Sequence, residues 1–222
     1  LKKKKMTLSF YQNINSKEAL VMDSFIKAKV KELCNLLVNK DKDTEGYISK
    51  PEIPYIVRSF LQFPSQQNIV DDIIPGIEKF ETNDQKIPQN CQVEAIEKYM
   101  VTLLRANTYS SYDKDLLLKV FKTLDTNNEG FLDLHSMFSL LKNFGIKFNK
   151  QNLKDMEDFC LEYENDLLDP LPMEENQETP KKHDQYTTRK FYYENYIRRI
   201  DQDNRKRYNS LMNEYANFVQ NR

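Results

Sequence analysis

Apolar side chains recur at intervals of three and four along most of this chain, and short polar runs interrupt the rhythm at similar distances. Over residues 17–39, Leu20, Phe25, Val30, Leu33, Leu36 and Leu37 trace one stripe between Lys and Glu, which predicts an amphipathic helix. A polar break, DKDTEGYISKPE, runs from Asp41 to Glu52. An apolar-periodic stretch from Ile53 to Phe63 follows and is stopped by Pro64. Further helices are predicted from Gln67 to Phe80, through Ile96, Met100 and Leu104, from Leu116 to Leu124, from Met137 to Phe144, and from Leu153 to Tyr163. Helix, short polar loop and helix therefore repeat every ~40 residues, with loops near residues 41, 80, 125 and, after an insertion, 190.

Two of the polar breaks carry a specific chemistry. A calcium-binding helix–loop–helix uses a 12-residue loop with oxygen ligands at positions 1, 3, 5, 7, 9 and 12 and glycine at 6. In the first break Asp41, Asp43 and Glu45 fill positions 1, 3 and 5, and Gly46 fills position 6. Tyr47 offers its carbonyl at 7, Ser49 stands at 9 and Glu52 at 12. Ile48, at position 8, is placed to pair with a second loop across a short β-bridge. Ser49 and Glu52 also read as a capping box opening the next helix, while Pro54 is expected to disturb its hydrogen-bond ladder. In the third break Asp125, Asn127, Glu129, Gly130, Phe131 and Asp133 fall at positions 1, 3, 5, 6, 7 and 9, but position 12 is Ser136. A hydroxyl cannot replace a bidentate carboxylate, so this site is weak or vestigial. Near residue 80 only Ile87 resembles a pairing residue. In the fourth unit Phe191 fills that role and Asn195 the twelfth position, with residues 164–190 interrupting the loop.

Composition narrows the function classes. The 222 residues hold 33 Lys plus Arg against 34 Asp plus Glu, a balance unlike that of general nucleic-acid binders or proteins of acidic membrane surfaces. Four glycines cannot supply the clustered glycines of a nucleotide-binding loop. Cys34, Cys91 and Cys160 are widely spaced and read as reduced structural thiols, not a zinc or disulfide framework. No apolar run approaches the ~20 residues of a membrane span. The opening LKKKKM lacks the apolar region of a secretory signal, and a start at Leu1 leaves room for residues before it. His135 and His183 have no catalytic company in the sequence, and DQDNR at 201–205 reads as an exposed helix segment, so no enzyme is expected.

Charge is unevenly distributed. Asp155 to Glu178 holds ten acids and no base, and Pro170, Pro172 and Pro180 argue for a solvated excursion. Residues 181–222 hold ten Lys or Arg against five acids. In the C-terminal stretch Tyr193, Tyr196, Ile197, Ile200, Tyr208, Leu211, Met212, Tyr215, Phe218 and Val219 build one aromatic-rich helical face. That face either folds back on the parent core or meets a partner.

The pattern is that of an all-α, two-lobed, calmodulin-like EF-hand protein with four helix–loop–helix units, two of them degenerate, and a C-terminal helical extension. The expected divisions are a basic tail at 1–16, an N-lobe at 17–107, a C-lobe at 112–200 containing the acidic insertion 164–190, and the extension 201–222. A narrower resemblance lies in IEKYMVTLLRANTYSSYDKDLLLKVFKTLDTNNEGFLDLHSMFSLLKNFG, in IVRSFLQFPSQQNIVDDII and in FYYENYI. These segments, spread over most of residues 20–200, resemble the EF-hand subunit family of the ciliary nexin–dynein regulatory complex, dynein regulatory complex subunit 8. The resemblance implies a non-catalytic structural or regulatory subunit in the cytoplasm of the cilium or flagellum, in the axoneme. It would clamp amphipathic or coiled-coil helices of neighbouring linker subunits, with no nucleic-acid or membrane partner, tuned by Ca2+ at one site and doubtfully at a second. The insertion and the C-terminal extension depart from the family's pattern. A reversible calmodulin- or centrin-type sensor and a phosphatase B-type regulatory subunit are the rival readings. The seven methionines are dispersed, which suits fixed partners better than the Met-rich groove of a promiscuous sensor.

Overall fold

The computed structural model describes residues 9–37, 46–82, 88–109, 114–143, 150–169 and 189–221, with side chains at 140–143 and 150 left aside. In chain order the elements are α1 (Ser16–Leu37), β1 (Tyr47–Ser49), a 3-10 turn (Lys50–Glu52), α2 (Ile53–Ser59), α3 (Gln66–Asn68), a π-turn (Ile69–Ile73) and α4 (Ile74–Glu78). After them come β2 (Asn90–Gln92), α5 (Val93–Ala106), α6 (Lys114–Leu124), β3 (Leu132–Asp133), α7 (Leu134–Asn143), α8 (Lys150–Glu162), α9 (Glu164–Leu167), β4 (Lys190–Phe191) and α10 (Tyr193–Gln220). The chain divides into two compact units, one drawn from Leu1–Tyr112 with Asn204–Arg222 and the other from Asp113–Asp203. The described fold is helical, its strands being two short antiparallel pairs.

In the first unit α1 begins at a capping box. The Asn15 carboxamide oxygen accepts the N–H groups of Lys17 and Glu18 at 3.0 Å each, and the Glu18 carboxylate accepts the Asn15 N–H at 2.9 Å. One face of α1 then buries Met22, Phe25, Ile26, Val30 and Cys34. It meets Ala95, Ile96, Met100, Leu103 and Leu104 of α5, with Ile53, Ile56 and Val57 of α2 in the same cluster. The loops preceding α2 and α5 are tied by β1 and β2, in the register Tyr47↔Gln92, Ile48↔Cys91 and Ser49↔Asn90. Ile48 therefore pairs with Cys91 and not with Ile87, which lies outside the described residues. Both Ile48 and Cys91 are buried, so a small thiol does the apolar packing work at that position.

Prolines account for two more departures from the periodicity. The turn opening after Ser49 is 3-10, with Pro51 in it, and Ser49 makes no side-chain cap bond, so the expected capping box with Glu52 does not form. Because α2 starts anew at Ile53, Pro54 falls in its first turn, where a missing N–H breaks no ladder bond. In the stretch expected as one helix from Gln67 to Phe80, Pro75 lacks the N–H that an α-ladder requires. A five-residue π-turn absorbs the defect between α3 and α4. The capping box in this region belongs to Ser65 and Asn68.

In the second unit an aromatic cluster takes the place of the aliphatic core. Phe121 of α6 stacks on Tyr193 at 5.6 Å and lies 5.9 Å from Phe191, while Tyr196 sits 5.2 Å from Phe191 and 5.7 Å from Phe159. Strand β3 pairs with β4 through Leu132↔Phe191 and Asp133↔Lys190, as expected of Phe191. Phe191 is bridged on its other side by Leu168. Residues 164–169 thus depart from the expected solvated excursion. Leu167 and Leu168 are buried, and the Tyr192 N–H donates to the Leu167 carbonyl at 2.9 Å. Buried Arg189 forms an ion pair with Glu164 and donates to the Asp169 carbonyl at 3.0 Å. The rest of the insertion, 170–188, lies outside the described residues.

The three cysteines are free and buried. Burial pushes the thiols of Cys34 and Cys160 up to about 12 and that of Cys91 up to about 11, which keeps them protonated and inert near neutrality. Phe191 is fully buried where β4, Leu168 and the aromatic cluster meet. Phe191→Ala is expected to destabilise the second unit by about 3–5 kcal/mol, read as a lowered urea midpoint of its unfolding transition.

Candidate functional site

The third loop is fully described, and its geometry is closed by hydrogen bonds. Asp125 follows directly on α6, its N–H still bonded to the Phe121 carbonyl at 2.9 Å. Its carboxylate turns back into the loop. One oxygen accepts the Glu129 N–H at 3.0 Å, and the other accepts the Gly130 N–H at 2.7 Å and the Tyr193 hydroxyl at 2.9 Å. Gly130 holds φ +84°, the left-handed conformation the turn demands at position 6, and Asn128 holds φ +56°. At the far end the Asp133 carboxylate accepts the Ser136 N–H at 2.7 Å, an N-terminal cap for α7.

Calcium wants six to eight oxygens, including a bidentate carboxylate at position 12. In this loop the first carboxylate already accepts three hydrogen bonds, the ninth-position carboxylate caps a helix, and Ser136 brings only a hydroxyl. Asn127 and Glu129 are exposed. Without a bidentate carboxylate at position 12, this donor set is a poor fit to a calcium ion. Tyr193, whose hydroxyl reaches the first carboxylate, has no place in a loop-spacing argument, being 68 residues from Asp125. The available signal was a tyrosine two positions after the pairing residue Phe191.

Burial raises the Asp125 carboxyl's pKa, but the N–H groups of Gly130 and Glu129, the Tyr193 hydroxyl and the Asn128 N–H outweigh it, and the net shift is downward. For Tyr193 burial and then the bond to Asp125 act in one direction and push the phenol up to about 12.

Of the first loop, Asp41, Asp43 and Glu45 lie outside the described residues. The remainder is placed. Gly46 holds φ +82° and its carbonyl accepts the Val93 N–H at 2.9 Å. Tyr47 and Ser49 lie in the ladder with β2, and Glu52 ends the 3-10 turn, half-buried. Lys50 is anchored by an ion pair to Glu78 at 2.8 Å. Among the described residues no group of three or more His, Cys, Asp or Glu side chains gathers as a metal site. In the fourth unit Asn195 donates its amide to the Asp166 carbonyl at 2.8 Å, tying the twelfth position to the stem of the insertion.

The other functional surface is a helix against a helix. The later turns of α10 lie on the first unit, with Leu211 buried and Tyr208, Met212, Tyr215 and Phe218 packed against its core. Tyr215 and Phe218 meet the Phe25 ring edge-on at 5.5 and 5.6 Å, and Tyr208 lies 5.6 Å from Phe10. These turns continue α10 without a break from Tyr193.

The fold and loops define a class: paired helix–loop–helix units with a glycine-turned, cross-bridged loop, an EF-hand-like helical architecture. No family model matches the chain, and no curated protein matches it. Among solved structures, the myosin II regulatory domain of Physarum polycephalum is similar at 15% identity over 77% of this chain and 91% of that one, with a TM-score of 0.47. Mlc1p bound to IQ4 of Myo2p, a class V myosin, gives 15% identity, coverage of 84% and 98%, and a TM-score of 0.27. The TREX2 CID domain complex of Chaetomium thermophilum gives 15%, 67% and 82%, and 0.25. At such identities and TM-scores these likenesses assign neither a family nor a function.

Linkage sets the pH behaviour of the closed loop. A phenol raised in the folded state contributes stability that is complete below its unfolded value near 10 and lost as the pH rises to about 12. The second unit of the wild type is expected to lose stability across that window, and Tyr193→Phe to lessen the loss, the raised Tyr196 phenol keeping part of it, while exposing the Glu129 and Gly130 amides to faster hydrogen exchange. Alkaline denaturation and amide exchange by NMR read the two effects. Unchanged exchange at Gly130 would show that the hydroxyl does not hold the loop.

Proposed function

We propose that this chain is a non-catalytic, two-lobed EF-hand subunit with four helix–loop–helix units that grips helices of partner proteins. The observation that carries the reading is the amphipathic half of α10 seated on the α1 face of the first unit, aromatic side chains inward. A surface that holds one amphipathic helix has the shape and chemistry to hold another. The segments resembling the nexin–dynein regulatory subunit family point to coiled-coil neighbours in the ciliary axoneme, where the protein would act as a structural part in the control of dynein-driven motility.

Calcium has a confined part in this reading. The first loop supplies the one site, through Asp41, Asp43, Glu45, the Tyr47 carbonyl, Ser49 and Glu52, and the third loop is closed without it. The protein then responds to calcium locally and does not open as a sensor does.

Calorimetry is expected to find one bound calcium per chain, lost in Glu52→Gln and untouched by Asn127→Ala. Full binding retained by Glu52→Gln would remove the first loop from the account. Cross-linking in ciliated cells is expected to enrich axonemal linker proteins, and enrichment of nonciliary phosphatases instead would overturn the axonemal assignment.

A further inference from the structure

The later turns of α10 can be separated from the core they cover. Met22, Ile26 and Val30 of α1 and Met100 and Leu104 of α5 are buried among one another and the α2 residues. Of the side chains that α10 adds, Leu211 is buried at 9% exposure, while Tyr208, Met212, Tyr215 and Phe218 stay half-buried. With the tail in place Phe10 and Phe25 keep 3% and 4% of their surface, so the tail covers a face that is apolar and aromatic. An ion pair and a hydrogen bond mark the register: Lys29 Nζ lies 2.8 Å from the Glu214 carboxylate and 3.0 Å from Glu32 on its own helix, and the Tyr208 hydroxyl donates to the Ser9 carbonyl at 3.2 Å. Lys29 therefore keeps a carboxylate when Glu214 leaves, and Glu214, at 42% side-chain exposure, returns to water. Neither group would be stranded as a buried, unpaired charge, the event that makes most buried ion pairs costly to open.

We propose that this face of the first unit is a docking site for an amphipathic partner helix and that the tail of α10 occupies it as an internal competitor. The proposal rests on the helix-gripping reading above and adds to it the identity of the resident occupant and the chemistry of the partner. Counting Tyr208 as 1, the tail carries large apolar groups at 1, 4, 5, 8 and 11 and a carboxylate at 7. A partner helix matches the site when it repeats that pattern: aromatic or long aliphatic side chains toward Phe10 and Phe25, and an acid toward Lys29. Such a helix reaches the face only in the fraction of molecules whose tail is lifted, so the tail sets the apparent affinity.

The experiment uses the full chain and a fluorescent peptide of residues 204–221, followed by anisotropy. The double variant Tyr215→Ala with Phe218→Ala, which weakens the resident tail, is expected to bind the peptide at least about tenfold more tightly than the wild type. Adding Lys29→Glu is expected to abolish that gain, and a peptide carrying Glu214→Lys to restore it. Equal binding to wild type and variant, or none to either, overturns the proposal. Should the variant unfold, amide exchange on the wild type decides. Tail amides that exchange at least about tenfold faster than the buried turns of α1, and faster still with unlabelled peptide present, support competition. Protection equal to that of α1 overturns it. Sedimentation showing a dimer through exchanged tails also overturns it, since the occupant would then be a second copy. Failure to recover axonemal proteins from cilia bears on the function proposed above and leaves the peptide result standing.

Discussion

Short amphipathic helices cannot hide their apolar stripes alone, and in this protein the device that makes them pair is a few residues of antiparallel strand. Ile48↔Cys91 in one unit and Leu132↔Phe191 in the other join the loops. Each joined residue is buried, so the bridge is also a piece of core. Because α5 and α7 leave directly from β2 and β3, α10 follows β4 after Tyr192 alone, and α2 follows β1 after the 3-10 turn, the register of the bridge sets where each helical stripe points. A slip of one residue would turn a buried side chain outward. The loop residues serve that constraint before any other: Gly46 and Gly130 take the left-handed turn that lets the chain reach the strand in register.

The sequence rhythm located nearly every helix, because a stripe at intervals of three and four is a direct image of burial on one face. It failed where local backbone chemistry overrode the stripe. Pro75 put a π-turn into a stretch whose hydrophobic spacing reads as continuous helix, and Pro51 replaced a capping box with a 3-10 turn. Cys91 escaped notice as a bridge residue because free cysteines invite a chemical reading, whereas a buried thiol packs as a small apolar group. The third loop was legible up to its ligands and its missing acid. Tyr193 was not, since a contact across 68 residues leaves no mark in a 12-residue spacing pattern.

That contact explains how a calcium-type loop keeps its shape with a weakened ligand set. A bound dication organises such a loop by drawing its oxygens inward, and without it the carboxylate at position 1 would be a desolvated charge in search of donors. In the third loop two backbone N–H groups and a phenol supply them. Tyr193 also stacks on Phe121, so the hydroxyl that satisfies Asp125 belongs to a ring already fixed by the core. The loop is held by groups of the chain itself.

The fourth unit applies the same logic to chain length. An insertion between the two ends of a loop adds closure entropy only slowly, roughly 0.6 kcal/mol for each doubling of length, provided the ends are fixed independently. Here they are fixed by a clasp: Leu168 bridges Phe191, Tyr192 donates to Leu167, and buried Arg189 joins Glu164 to the Asp169 carbonyl. Each of these contacts closes the stem at 164–169 against 189–192, on either side of residues 170–188. Leu132 therefore finds Phe191 in the same place whatever lies between 170 and 188, and the second unit's bridge is insulated from the composition of the insertion. The stem contacts, made by described residues on both sides of the insertion, are enough to set that bridge in place.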